Sequence, residues 1–125
     1  MKKFFVIFLS LFVACCSQSD KYHDINCKRV DLITKAAQMT LMGKEENDKE
    51  LADIGVCITG EMYKLENSIV KEVLHSEEKG KLLMTNLAIL CAKKLKTMTK
   101  QEYDTMAKEA IKALELSKSA TDCLD

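Results

Sequence analysis

The sequence has no proline, no tryptophan and only four glycines among its 125 residues. Proline and glycine are the residues that most often interrupt helices, so their scarcity leaves few natural breaks in a helical chain. β-Branched residues nowhere alternate with polar residues over the length of a strand. Lys, Glu, Leu, Ala and Met, which favour helices, are abundant. We therefore predict an all-α fold, and the length fits one domain.

The chain also lacks an excess of charge of either sign. Nineteen Lys and Arg residues balance nineteen Asp and Glu residues. Proteins that bind nucleic acid usually carry a basic excess or a basic stripe, so we expect no nucleic-acid partner. Hydrophobic residues make up 47% of the chain, which argues against intrinsic disorder.

Residues that commonly carry catalysis are scarce. The two histidines, His23 and His75, have no motif partner, and the sequence contains none of the common metalloprotease, hydrolase or phosphate-binding motifs. The acidic cluster at residues 45–50 lacks the spaced oxygen ligands and the glycine of an EF-hand loop. We therefore expect no enzymatic activity, no metal site and no cofactor.

The N-terminal segment has the order of regions that is typical of a secretory signal peptide. Lys2 and Lys3 form a basic start, an apolar run follows, and small residues lie just before residue 18. The apolar run is shorter than the roughly 20 residues that a membrane span needs. We predict that residues 1–17 are cleaved and that the mature chain is secreted, either extracellular or periplasmic. Residues 18–24 would form a flexible lead-in and residues 25–125 a helical domain.

Part of this segment resembles a bacterial lipobox, in which a cysteine is lipidated. In Phe12-Val13-Ala14-Cys15, the phenylalanine stands where leucine is usual. Lipidation of Cys16 instead would put Cys15 where glycine or alanine is usual. A lipid anchor at Cys15 or Cys16 is therefore the alternative to free secretion, and the only membrane attachment that we expect.

Four cysteines follow the leader, at Cys27, Cys57, Cys91 and Cys123. They are 30, 34 and 32 residues apart, whereas a structural zinc site usually needs closely spaced ligand pairs. In a secreted chain this pattern favours two disulfides. Three pairings are possible. We slightly prefer Cys27–Cys57 with Cys91–Cys123, and the pairing Cys27–Cys123 with Cys57–Cys91 is nearly as well supported.

Apolar residues at helical spacing, together with capping residues, predict four helices. Asp24, Asn47 and Thr99 are the expected N-caps of the first, second and fourth. Gly55 and Gly60 lie inside the second helix, where they mark a bend, a break near Gly60, or a close approach of another helix. The third helix has the widest apolar stripe and should be the most buried. The predicted helices span residues 25–42, 48–75, 81–96 and 100–117. They should form a small four-helix, mostly antiparallel bundle crosslinked by two disulfides.

A rigid, crosslinked helical scaffold without catalytic motifs favours a binding protein. Our first hypothesis is that it engages a protein partner, as effectors, inhibitors or immunity-like proteins do. The alternative is an extracellular carrier of a small hydrophobic ligand, with Met62, Met84 and Met106 lining the cavity, because methionine is common on adaptable apolar surfaces. Methionines at this spacing also serve as ordinary core residues.

Overall fold

The computed structural model describes the backbone of residues 2–120 and 123, and the side chains of residues 22–120 and 123. Within that part of the chain the regular structure is helical, with five helices and no strand, which confirms the all-α prediction. The helices are α1 (Lys2–Glu45), α2 (Lys49–Lys64), α3 (Asn67–Leu74), α4 (Glu77–Thr97) and α5 (Lys100–Ser119). The predicted signal peptide has its side chains outside the described residues, and the predicted lead-in of residues 18–24 is part of α1.

The second predicted helix is divided in two, so the prediction of four helices is wrong. The division lies at Leu65 and Glu66, whose extended backbone turns the chain between α2 and α3. It does not lie at Gly60, which is buried inside α2. The apolar spacing continues unbroken across the turn, so the periodicity gave no sign of it.

A buried arginine on α1 explains where the division falls. Arg29 is only 7% exposed. Its Nη1 donates a hydrogen bond of 2.8 Å to the carbonyl oxygen of Met62 and one of 3.4 Å to that of Tyr63, while its Nη2 donates one of 2.8 Å to Oδ1 of Asn67. The last carbonyls of a helix lack partners within the helix and favour a cation. Arg29 therefore supports the end of α2 and the start of α3 together.

The helix starts differ from the predictions at several points. α1 continues past Asp24, which is therefore not an N-cap. Asp48, rather than Asn47, caps α2 by accepting a hydrogen bond from the amide of Leu51, and Asn47 takes a positive φ of 56° in the preceding turn. Ser76 caps α4, which begins four residues earlier than expected. The cap of α5 by Thr99 is confirmed.

Helices α1 and α2 approach closely at two glycines. A Cβ atom on Gly55 would collide with both the side chain and the backbone of Thr40. A Cβ atom on Gly43 would collide with the backbone of Ala52. The backbones are therefore close enough to exclude any side chain at these two positions. The sequence suggested that Gly55 marks a bend or a close approach of another helix, and the structure shows the close approach.

Helix α2 lies at the centre of the fold, where it packs against α1, α4 and α5. It supplies much of the hydrophobic core, including Ile58 and Met62, which are fully buried. Helix α4 is peripheral instead: only Gly80, Leu87 and Cys91 are buried in it. The expectation that this helix would be the most buried is wrong, because its apolar residues surround it while its neighbours cover one side only.

The two disulfides are Cys27–Cys123 and Cys57–Cys91, with Cα–Cα distances of 5.3 and 5.8 Å. Our preferred pairing is wrong, and the second pairing is confirmed. One bridge joins α1 to the segment after α5, and the other joins the central helix α2 to the peripheral helix α4. Two disulfides are typical of proteins that mature in an oxidising, extracellular compartment.

Candidate functional site

A groove of about 420 Å³ lies between α4 and α5, with α2 as its floor. Both helices pack against α2 but make few contacts with each other. The apolar part of the groove includes Cys57 from α2, Met98 from the turn after α4, and Met106 from α5. Cys57 and Met106 are buried, and Met98 is partly buried. The groove therefore combines a sulfur-rich floor with walls from two different helices.

A network of ion pairs crosses this groove. Nζ of Lys94 on α4 lies 3.0 Å from Oε1 of Glu61 on α2. Nζ of Lys64 on α2 lies 3.0 Å from Oε2 of Glu109 on α5 and 3.5 Å from the same Glu61 oxygen. The four side chains connect all three helices that form the groove. The Cys57–Cys91 disulfide adds a covalent link between α2 and α4.

The network shifts the pKa of Glu61 and of Lys64. Burial opposes the negative charge of Glu61, but hydrogen bonds and charges from Lys94 and Lys64 outweigh it, so the pKa of Glu61 is lowered. The pKa of Lys64 is raised because its ammonium group is hydrogen-bonded to Glu109, against the effect of burial, with a further contribution from Glu61. Both shifts favour the charged forms of Glu61 and Lys64.

The charges along the groove do not balance. Three carboxylates, those of Glu61, Glu102 and Glu109, face two ammonium groups, those of Lys64 and Lys94, which leaves one net negative charge. Uncharged hydrogen-bonding side chains complete the rim, and they come from Thr97, Gln101 and Thr105. A ligand with an apolar group for the floor and a cationic group for the rim would fit these properties best.

The methionines predicted from the sequence do not meet in one cavity. Met62 is fully buried in the core. Met106 reaches the groove between α4 and α5, whereas Met84 lies in a separate groove with Leu32 on α1. All three belong to the main hydrophobic cluster or pack against it. Their positions are those of core residues, and Met106 alone also contributes to the candidate site.

The histidines lie away from the groove. His23 is on α1, where its Nε2 is 3.6 Å from Sγ of Cys27. His75 is exposed at the C-terminal end of α3. Over the described side chains, no three His, Cys, Asp or Glu residues are grouped so that they would hold a metal ion. The groove offers charged groups, the amide of Gln101, hydroxyl groups and sulfur.

Sequence reasoning missed most of this site. Glu61 and Lys64 are three residues apart on one helix, and that spacing is a readable signal for an ion pair. Lys94 lies 33 residues from Glu61 along the chain, and nothing local indicates that pairing.

The chain matches no protein-family model, no curated protein sequence and no solved structure. In the part of the chain that the structure describes, none of the helices has a long enough apolar stretch to cross a membrane. The functional proposal therefore depends on the geometry of the groove itself.

Proposed function

We propose that the chain is a secreted, disulfide-stabilised helical binding protein that captures a protein partner in the groove between α4 and α5. The observation that carries this proposal is the ion-pair network of Glu61, Lys64, Lys94 and Glu109 around a floor of sulfur-containing residues. A preformed groove with a few placed polar groups is the usual form of a recognition site.

The partner segment that fits best presents an aliphatic or aromatic side chain next to Arg or Lys. The apolar side chain would contact Met98 and Met106, since methionine adapts to varied apolar surfaces. The cationic group would meet the net negative charge of the rim, and Glu102 is the carboxylate at the edge nearest solvent. We expect such a segment to be a short stretch of a protein, in the manner of an inhibitor or immunity-like partner.

The carrier alternative has weaker support. Met62, Met84 and Met106 line no common cavity among the described residues. A carrier of a small hydrophobic ligand needs an enclosed apolar site that covers most of the ligand surface. The groove at Met106 has a charged rim, which favours an amphipathic segment over a lipid-like molecule.

Secretion is part of the proposal. Residues 1–17 would be removed as a signal peptide, or a lipid anchor would form at Cys15 or Cys16. The intact mass of the protein exported by its own cells distinguishes these outcomes, because an acyl chain and a shifted cleavage site each change the mass. A cytoplasmic protein with its leader still attached would contradict both.

A peptide-display selection against the oxidised protein tests the binding groove. We expect enriched peptides to combine Arg or Lys with a large apolar residue. The variant Thr105→Arg places a long cationic side chain across the groove, and it should weaken peptide binding by about tenfold or more. Ile111→Arg, on the same helix but outside the groove, is the matched control and should bind normally. Equal affinity of both variants, or no enrichment at all, would overturn the proposal.

A further inference from the structure

One side of α4 carries a stripe of five exposed residues opposite its buried face. Glu78, Leu82, Asn86, Ile89 and Lys93 follow one another at spacings of 4, 4, 3 and 4 residues, which places them on one side of a helix. Leu82 is 60% exposed and Ile89 is 53% exposed, and the three polar members are exposed as well. We refer to these five residues as the α4 stripe.

The α4 stripe has the same order of side-chain types in both directions along the helix. A charged residue is followed by an aliphatic residue, then an amide, then an aliphatic residue and a charged residue, and the two end charges have opposite sign. Antiparallel pairing of two such helices about a two-fold axis would bring Glu78 against Lys93 of a second copy and Leu82 against Ile89 of that copy. Asn86 would lie beside its own counterpart near the axis.

Charge complementarity therefore indicates what covers the α4 stripe. Parallel pairing would place like charges together at both ends, whereas antiparallel pairing forms two ion pairs and two aliphatic contacts. Within the described part of the chain neither Glu78 nor Lys93 forms an ion pair, so both are available. We propose that a second copy of this chain covers the α4 stripe, so that the protein forms an antiparallel homodimer through α4.

Asn86 has a specific role in this dimer. An amide at the centre of an apolar helix seam reduces stability but fixes the register, because a shifted alignment leaves it against aliphatic side chains. The closed two-fold arrangement is self-limiting and leads to dimers rather than fibres. The seam from Glu78 to Lys93 is about 22 Å long at the helical rise of about 1.5 Å per residue. One short helix pair is small for a protein interface, so we expect a weak dimer in the micromolar range.

Sedimentation equilibrium of the exported, oxidised protein across micromolar to millimolar concentration tests the dimer. Ile89→Ser should abolish it, whereas Ile111→Ser, which replaces an isoleucine of similar exposure (55%) on α5, should leave it unchanged. Far-UV circular dichroism of both variants checks that each is folded. A wild-type protein that is monomeric throughout, or a dimer lost equally in both variants, would overturn the proposal.

Charge reversal tests the antiparallel orientation. Lys93→Glu and Glu78→Lys each place like charges opposite each other twice in the dimer, so each should weaken it by about tenfold. The double variant Glu78→Lys/Lys93→Glu restores two attractive pairs, and its dissociation constant should return to within about threefold of wild type. A double variant whose dimer is as weak as those of the single variants would contradict this arrangement.

The dimer and the binding groove can be tested independently. Thr105→Arg should leave dimerisation unchanged, and Ile89→Ser should leave peptide binding unchanged. Failure of one proposal would therefore not imply failure of the other.

Discussion

Helix α2 contacts α1 and α4 in different ways. Gly43 and Gly55 bring the backbones of α1 and α2 so close that neither position has room for a Cβ atom. On α4, Gly80 lines the groove shared with Leu32 of α1, and beyond its own turn of helix no atom lies within 4 Å of its would-be Cβ. A disulfide between Cys57 and Cys91 holds α4 on α2. The first contact depends on close approach of the backbones, whereas the second includes a covalent bond, and the opposite side of α4 stays exposed.

The largest expected loss of stability follows removal of the disulfide between Cys57 and Cys91. The double variant Cys57→Ala/Cys91→Ala should lose about 4 kcal/mol of unfolding free energy by the chain-entropy account, since the bridge closes a loop of 34 residues. Hydrogen exchange, measured amide by amide, should show a loss of protection in α4 that exceeds the loss shared by all helices, because α4 can then also open locally. Uniform loss over all helices would mean that α4 is not separately tethered.

Replacement of Arg29 is expected to cost about 3 kcal/mol, because Arg29→Met removes three hydrogen bonds and leaves the buried carbonyl of Met62 with only the long 3.4 Å hydrogen bond from the amide of Leu65. Urea unfolding monitored by circular dichroism measures the loss. Arg29→Lys is the matched control, and its stability should lie between those of wild type and Arg29→Met, because lysine keeps the charge but does not provide the planar fork that bridges to Asn67. If Arg29→Met is as stable as wild type, Arg29 does not stabilise the turn between α2 and α3.

A methyl group at Gly55 should destabilise the protein by about 2 kcal/mol, because the overlap with the Thr40 backbone forces α1 and α2 apart and outweighs the better helix propensity of alanine. The urea midpoint of Gly55→Ala measures the change. A neutral or stabilising result would show that the close approach is not required.

The same change on α4 should have the opposite sign. Gly80→Ala adds a methyl group in open space near the start of a helix, so it should stabilise the protein by up to about 1 kcal/mol through helix propensity alone. The thermal midpoint of Gly80→Ala, measured beside that of Gly55→Ala, gives the comparison directly. Destabilisation by both substitutions would remove the contrast between the two contacts.

The smallest expected effect is on the pH dependence of stability. The folded-state pKa of Glu61 is lowered, so its contribution to stability is complete above the ordinary glutamate pKa of about 4.3 and is lost as pH falls through the lower folded value. Glu61→Gln should therefore be less stable than wild type at neutral pH by up to about 1 kcal/mol. The difference should shrink as pH falls below about 4.3 and vanish once the carboxyl of folded Glu61 is protonated, because both side chains are then neutral. Thermal unfolding over this range measures it, and a constant difference would contradict the role of the carboxylate.

The sequence allowed prediction of those features that are set by nearby residues. Thr99 and Glu102 lie three residues apart at the start of α5, and their capping pattern was readable without a structure. Most of the apolar spacing from Leu51 to Val73 correctly predicted helix. The helical segments were therefore predicted, apart from some of their ends and the division of the second helix into α2 and α3.

The features that could not be predicted depend on residues distant in the chain. The turn at Leu65 is supported by Arg29, which donates to Met62 from 33 residues away. Spacing between cysteines did not reveal that the segment after α5 returns to α1. The wide apolar stripe of α4 indicated burial, but the sequence does not show that only one side of this helix is covered. The groove was missed for the same reason, because its walls meet only after α4 and α5 have packed on α2.

Peptide mapping of the exported protein without reduction tests the central claim most directly, namely that an oxidised scaffold holds α4 on α2 through a covalent bond. The account predicts that the peptide with Cys57 is linked to the peptide with Cys91, that Cys27 is linked to Cys123, and that no thiol among the four reacts with an alkylating reagent. A link between Cys27 and Cys57, or four reactive thiols in the native protein, would contradict it.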